Sequence, residues 1–261
     1  MRWSVRIAAG AAVVVGVGWL GLRVQPAPFP PYPAPGPQLE RVPLPDRLPP
    51  PVARYYRAVF GGGAVPLVES AVLTGRGTLR FGPVVLPARY RFTHLAGRGY
   101  RHYIEATWFG LPFLKVNEWY LDGHGRMELP FGTAEGPKTS SAANLGMWAE
   151  ATAFPSVYVT DPRVRWEPID DTSARLVVPG PDGEQSFAVS FDPATGLIDR
   201  MTTMRYRAEG DAAELPWTAQ LLGDGRAAAT WGDQGQPWLV IRHEEVVLNA
   251  DVSQYIRARG L

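Results

Sequence analysis

The chain has 261 residues, a formal net charge of +1 at pH 7, no cysteine and nine tryptophans. The near-zero charge gives no support for a nucleic-acid partner. The lack of cysteine excludes disulfide bonds, thiolate metal sites and a lipid-modified N-terminal cysteine. Because indole rings are costly to expose and awkward to bury, so many tryptophans suit a wide sheet or a ligand cavity.

The chain begins with an apolar stretch, Ile7–Leu22, flanked by Arg2, Arg6 and Arg23. Its length falls between the apolar core of a signal peptide, about 15 residues, and a spanning helix, about 20 residues. No small-residue cleavage site follows, which favours an uncleaved anchor with its first arginines on the inner side. We predict a membrane anchor or signal peptide over residues 1–24, membrane contact through residues 7–22, and an extracytoplasmic location for the remainder.

A proline-rich segment comes next, with twelve prolines between Pro26 and Pro51. Proline lacks a backbone donor and favours the extended polyproline II conformation. We predict a semi-rigid stalk over residues 25–45 that carries an antiparallel β domain, residues 46–261. The alternative is a docking motif for a proline-binding module.

A short amphipathic helix opens the predicted domain. Val52, Tyr55, Tyr56 and Val59 recur at helical spacing, and the pattern stops at Gly61. We expect this helix to pack on a sheet rather than on lipid.

Two long strands, Tyr100–Phe109 and Phe113–Asp122, follow with a turn between them. On the first strand one face carries Tyr100, His102, Ile104, Ala106 and Trp108, and the other mixes charged and aromatic residues. This alternation predicts a sheet with a packed side and a wetter side.

The remaining pattern alternates strands and turns, with a helix predicted over Ala142–Ala153 after a Ser141 cap and a short closing helix over Ala250–Arg259. Asp192–Gly196 is a strong hairpin turn. The other predicted strands are Ser70–Phe81, Val84–Thr93, Arg163–Ile169, Ala174–Val178, Ser186–Phe191, Leu197–Arg207, Trp217–Leu221, Ala227–Trp231 and Trp238–Leu248. The fold class is therefore mainly β (α+β): a large curved antiparallel sheet or half-open barrel, with two or three packed helices after one N-terminal hydrophobic helix.

Four motifs carry a family resemblance: Leu48–Tyr55, Met147–Pro155, Val164–Asp170 and Phe191–Ile198. Together they resemble an uncharacterised bacterial family of exported or anchored proteins, for which no catalytic residues are implied. The last motif also resembles the lipoprotein-carrier fold of periplasmic lipoprotein chaperones and lipid-binding lipoproteins. That resemblance implies a half-open antiparallel barrel with helices plugging its concave side.

Motifs for catalysis are scarce. The four histidines show no metalloprotease spacing, and no serine elbow or phosphate-binding loop is present. We assign no catalytic residue, no metal and no cofactor. One enzymatic alternative is a hydrolase or metal-dependent site built from His102, Glu105 and Glu118.

The leading functional hypothesis is a membrane-tethered protein that binds an apolar ligand, such as a lipid, acyl chain or lipoprotein, in a half-barrel cavity. Its alternative is a non-catalytic envelope module that contacts a protein partner. The predicted ligand-binding residues are Trp108, Trp119, Trp148, Glu150 and Trp166.

The helix predicted over Ala142–Ala153 gives two of these residues different orientations. Trp148 and Glu150 lie about 200° apart around a helix. We expect Trp148 to point into the core and Glu150 to point away or along a rim.

Overall fold

The computed structural model describes residues 15–33 and 37–257. Its helices are α1 (Pro50–Phe60), α2 (Pro137–Glu150) and α3 (Val157–Thr160), with a 3-10 turn at Ala151–Ala153. The strands are β1 (Arg41–Pro43), β2 (Ala64–Pro66), β3 (Ser70–Phe81), β4 (Val84–Leu95), β5 (Gly99–Trp108), β6 (Leu111–Leu121), β7 (His124–Leu129), β8 (Gly132–Glu135), β9 (Arg165–Pro168), β10 (Ser173–Gly180), β11 (Gly183–Phe191), β12 (Ile198–Arg205), β13 (Leu215–Leu221), β14 (Arg226–Trp231) and β15 (Leu239–Leu248).

Within the described residues, thirteen strands form one curved antiparallel sheet in the order β8-β7-β6-β5-β4-β3-β15-β14-β13-β12-β11-β10-β9. All neighbours except β3 and β15 follow one another in the chain, so short local connections join them. The last strand, β15, pairs with β3 and joins the two halves. The predicted fold class, a mainly β protein with a curved open sheet and packed helices, is confirmed.

The central strands place polar side chains on the concave face. In β5, His102 lies opposite Phe92 of β4 on one side and Glu118 of β6 on the other. His94 of β4 lies opposite Tyr100. Side chains at alternate positions share a face, so His94, His102 and Glu118 all point to the concave side.

Helix α2 covers this concave face. It packs on β5 to β8 at one half of the sheet and reaches β10 and β12 in the other half. It begins at Pro137, earlier than predicted, because proline suits a first helical turn and Gly136 precedes it. The Glu209 carboxylate accepts the backbone N–H of Thr139 at 2.8 Å and so stabilises this N-terminus from a distant loop.

Helix α1 matches its prediction closely. It starts at Pro50, ends before Gly61 in the left-handed conformation (φ 68°), and buries Val52, Tyr55 and Tyr56. The Tyr56 hydroxyl donates to the Pro155 carbonyl at 2.7 Å, which ties α1 to the loop after α2.

The described part of the proline-rich segment packs on the convex face of the sheet. Phe29 is 4% exposed and lies 5.8 Å from the Tyr103 ring. Arg91 donates to the Pro30 carbonyl at 2.6 Å. Residues 29–30 therefore contact the sheet, and the division into a stalk and a β domain stays a prediction.

The two ends of the chain are described only in part. Residues 15–21 are helical, and no helix among the described residues is both long and apolar enough to cross a bilayer. Residues 1–14 of the predicted anchor lie outside the described residues. The described part of the predicted closing helix forms turns over residues 253–257.

Candidate functional site

A cavity of about 90 Å³ lies between α2 and the concave face of the sheet. One wall is apolar and comes from β12 to β15, with Met201, Trp217, Leu221, Leu239 and Ile241 among its residues. The opposite wall is polar, since it contains the side chains of Tyr100, His102, Glu118 and Glu150, and Arg205 adds a charged group from β12 on the apolar side. The cavity is thus amphipathic.

Glu150, at the last position of α2, meets two histidines of the sheet. Its Oε2 lies 2.8 Å from His102 Nε2 and 3.3 Å from His94 Nε2. Both histidine side chains are almost completely buried, and the Glu150 side chain is 20% exposed. Although these distances are short, none of the three atoms has a well-aligned hydrogen-bond partner among the described residues.

A second carboxylate lies on the other side of His102. Glu118 Oε2 is 3.9 Å from His102 Nδ1. Its other oxygen, Oε1, accepts the Tyr100 hydroxyl at 2.6 Å. His102 is therefore placed between two acidic groups.

The two acids decide the charge of His102. Burial on its own would lower the pKa of His102, but Glu150 and Glu118 outweigh burial and raise it to about 9. Burial likewise opposes ionisation of Glu150, yet His102 and His94 lower the pKa of that carboxyl to about 2. The pKa of His94 is lowered, chiefly by burial, so its imidazole is neutral at pH 7.

Arg205 brings a further positive charge to the cavity wall. Its guanidinium lies over Trp217, 4.9 Å from the ring centroid. Burial lowers its pKa, whereas Glu118, Tyr100 and Glu150 act at longer range in the opposite direction. Arg205 Nε is buried and has no hydrogen-bond partner among the described residues.

Of the five residues predicted to bind a ligand, only Glu150 lines this cavity. Trp108 is 45% exposed at the β5–β6 turn. Trp119 lies opposite Arg101, which places it on the convex side of β6. Trp148 is completely buried in the core, and Trp166 packs near Tyr158 and Phe191 at the β9 edge. The four tryptophans are therefore not brought together at this cavity, and their part in ligand binding stays a prediction.

The three residues of the enzymatic alternative do not meet. His102 and Glu118 face each other on the concave side, but Glu105 has the opposite parity on β5 and lies on the convex side. There Glu105 pairs with Arg89 at 2.7 Å and accepts the Tyr103 hydroxyl at 2.7 Å.

Glu150 also points differently from the prediction. A helix that packs on a single surface would direct Trp148 and Glu150 to opposite environments. Helix α2 instead lies inside a curved sheet that surrounds it on several sides, so both side chains are directed inward: Trp148 toward Pro179 and Glu150 toward β4 and β5.

Sequence reasoning missed two polar residues of the site, His94 and Arg205. His94 points to the same side of β4 as Phe92, which lies opposite His102. The predicted strand ended at Thr93, one residue before His94, so the sequence did not place His94 on this face. Arg205 showed no local signal, because its neighbours in the cavity come from distant strands.

Comparisons with known proteins agree with the fold. A family model described as "Family of unknown function (DUF6544)" matches residues 38–228, which confirms the expected resemblance to an uncharacterised family. No curated protein matches the sequence.

Two solved structures are similar to the chain. One is described as a "putative outer membrane lipoprotein-sorting protein domain" from Vibrio parahaemolyticus; it is 11% identical with a TM-score of 0.38, over 77% of this chain and 90% of that one. The other is a DUF1329 family protein from Desulfovibrio piger, 12% identical with a TM-score of 0.38, over 78% of this chain and 95% of that one. Similarity at this level transfers no ligand and no partner.

Proposed function

The chain belongs to the DUF6544 family of unknown function, and we propose that it binds an amphiphile, an apolar chain with an anionic head group, on the concave face of its sheet. The proposal rests on one observation: the cavity joins an apolar wall to a partly buried arginine, Arg205, whose buried Nε is an unused donor. Such a pairing of apolar surface with few convergent polar groups is typical of small-molecule sites.

Arg205 is the residue that we expect to bind the anionic head group. A buried guanidinium donor without an acceptor is unfavourable, and a carboxylate or phosphate oxygen would supply the acceptor. Glu118 and Glu150 balance the charges of Arg205 and His102, so the polar wall is close to neutral before a ligand enters. The negative charge of a bound head group is therefore most favourable next to Arg205.

The cavity size limits what can be enclosed. About 90 Å³ is well below the roughly 300–1,000 Å³ of a typical ligand pocket. A long acyl chain does not fit inside it. We infer that the head group and the first methylenes occupy the cavity, while the rest of the chain lies along the partly exposed side chains of Leu221, Ala227 and Leu239.

We also propose that the protein works at the outer side of a membrane, with the β5–β6 turn toward the lipid. Trp108, Phe109, Leu111 and Phe113 are 41–71% exposed at this turn. The turn contacts the end of the N-terminal helical segment, because Phe109 N–H donates to the Gly21 carbonyl at 2.9 Å. Exposed apolar clusters of this kind are typical of membrane or protein contacts.

Ligand binding is tested by displacement of a fluorescent fatty acid with decanoate and with decanol. We expect saturable binding of decanoate. Arg205→Gln should weaken decanoate about 10- to 100-fold, the value of a charge-assisted hydrogen bond, and leave decanol nearly unchanged. Arg200→Gln is the matched control, since Arg200 lies on the same strand and pairs with Asp199 at the surface. No saturable binding, or equal effects of both variants, would refute the proposal.

Membrane contact is tested separately by flotation with phosphatidylglycerol–phosphatidylethanolamine vesicles. Leu111→Asp combined with Phe113→Asp should reduce co-flotation, and Val246→Asp, another exposed apolar position, should not. Unchanged flotation of the double variant would favour the envelope interaction module, in which the same turn contacts a protein.

A further inference from the structure

We propose that His94, His102 and Glu150 form a binding site for a divalent first-row transition-metal ion. The three donor atoms, His94 Nε2, His102 Nε2 and Glu150 Oε2, all lie within 4.8 Å of one another. They come from β4, β5 and the end of α2, so only the packed fold brings them together. This site borders the cavity of the amphiphile proposal, since His102 and Glu150 also line that cavity, but its test uses no amphiphile.

The alignment of these atoms is the first argument. In a hydrogen-bonded pair the ring N–H points along the line to its acceptor. His102 Nε2 lies 2.8 Å from Glu150 Oε2, yet the two are not aligned as donor and acceptor, and the same holds for His94 Nε2 at 3.3 Å. Ligand atoms that lie close together without a hydrogen bond between them are available to a shared ion.

Distances give the second argument. Ligand atoms about 2.1 Å from a tetrahedral ion lie roughly 3.4 Å apart. The separation of His94 Nε2 from Glu150 Oε2, 3.3 Å, fits this value, and the 2.8 Å to His102 Nε2 needs a small outward shift. The two histidine nitrogens lie within 4.8 Å of each other, close enough to approach the same ion by side-chain rotation. An ion would also satisfy three buried polar atoms that otherwise reduce the stability of the fold.

The surroundings resemble the support that metal ligands receive in proteins. A metal-bound histidine usually directs its second nitrogen to a carboxylate or carbonyl group. His102 Nδ1 faces Glu118 at 3.9 Å, and the Tyr100 hydroxyl holds that carboxylate at 2.6 Å. His102 and Glu150 line the cavity, so the coordination positions that the protein leaves free would face it.

The donor set narrows the choice of ion. Two imidazole nitrogens and one carboxylate suit Zn²⁺, Fe²⁺, Co²⁺ or Mn²⁺, whereas Mg²⁺ and Ca²⁺ prefer oxygen ligands. The alternative is a metal-free ion pair, in which a protonated His102 lies between Glu150 and Glu118. That arrangement leaves His94 Nε2 and Nδ1 buried without hydrogen-bond partners among the described residues.

The test is a titration of the chelator-treated full chain with Co²⁺ and Zn²⁺ and no amphiphile present. We expect one tightly bound ion per chain by mass spectrometry of the desalted protein, and a visible Co²⁺ spectrum typical of nitrogen and oxygen ligands. His94→Ala and Glu150→Gln should abolish both signals. Glu118→Gln should weaken the affinity about 10- to 100-fold, as expected for a residue that orients a ligand.

His124→Ala is the matched control, because His124 is exposed at the first position of β7 and should bind no ion of this site. Circular dichroism establishes that each variant folds. If His94→Ala does not fold, the Co²⁺ spectrum of the unaltered chain and the loss of that spectrum in Glu150→Gln still show whether the ion binds at this site. No tight ion in the unaltered chain, or equal binding by Glu150→Gln, would overturn the proposal.

Discussion

Replacing Trp148 by alanine tests whether α2 is packed as the central plug of the sheet. Trp148 is completely buried, and its indole N–H donates to the Pro179 carbonyl of β10 at 3.3 Å. Its ring lies 6.4 Å from that of Tyr158, whose hydroxyl donates to the Trp148 carbonyl at 2.6 Å. The side chain therefore links α2 to β10 and α3.

The expected loss follows from these contacts. Truncation of a buried tryptophan to alanine destabilises a protein by about 3–5 kcal/mol, and the indole hydrogen bond contributes about 1 kcal/mol, in part already included. We expect Trp148→Ala to lower the free energy of unfolding by about 4 kcal/mol. For a domain of this size that corresponds to a fall in melting temperature of roughly 8–16 °C.

The measurement is urea unfolding of the full chain followed by far-UV circular dichroism. Trp108→Ala serves as the control, since it removes the same side chain from a position that is 45% exposed; its loss should stay within about 1 kcal/mol. If Trp148→Ala loses no more than this control, α2 is not packed against β10 as described, and the enclosed cavity loses its wall.

Three further outcomes are expected. Gly77→Ala should destabilise the β3–β15 pairing by about 2–3 kcal/mol in urea unfolding, because a Cβ at this position would overlap the Val240 carbonyl. Gly62→Ala is the control: its Cβ would enter open space, so its unfolding free energy should be unchanged. Phe29→Ala should lower the unfolding free energy by about 3 kcal/mol; no loss would favour the extended stalk. Burial lowers the pKa of His243 from 6.5 to about 4. As the pH falls from 6.5 to 4, His243 therefore takes up a proton in the unfolded chain but not in the folded chain, and the free energy of unfolding should decrease by up to about 3 kcal/mol. His243→Gln should flatten this decrease in unfolding experiments between pH 7 and 4.

Local patterns in the sequence were sufficient for the architecture. Alternation along Tyr100–Phe109, the hairpin turn at Asp192–Gly196 and the helical spacing from Val52 to Gly61 each depend on residues close together in the chain. Nearly all neighbouring strands are also consecutive in sequence, so local turns fix most of the pairing. The curved antiparallel sheet could therefore be predicted before any contact between distant residues was known.

The candidate site could not be predicted in the same way. Glu150 reaches His94 and His102 only because α2 lies within the curved sheet, across strands separated by long stretches of chain. Arg205 enters the same cavity from the other half of the sheet. The alternation of side chains along β5 and β6 determined that His102 and Glu118 share a face. The closure of the sheet around α2 decided that the partly buried carboxylate of Glu150 lies between two histidines. The physical reason is that burial of a charged group depends on partners supplied by tertiary packing, which no local pattern encodes.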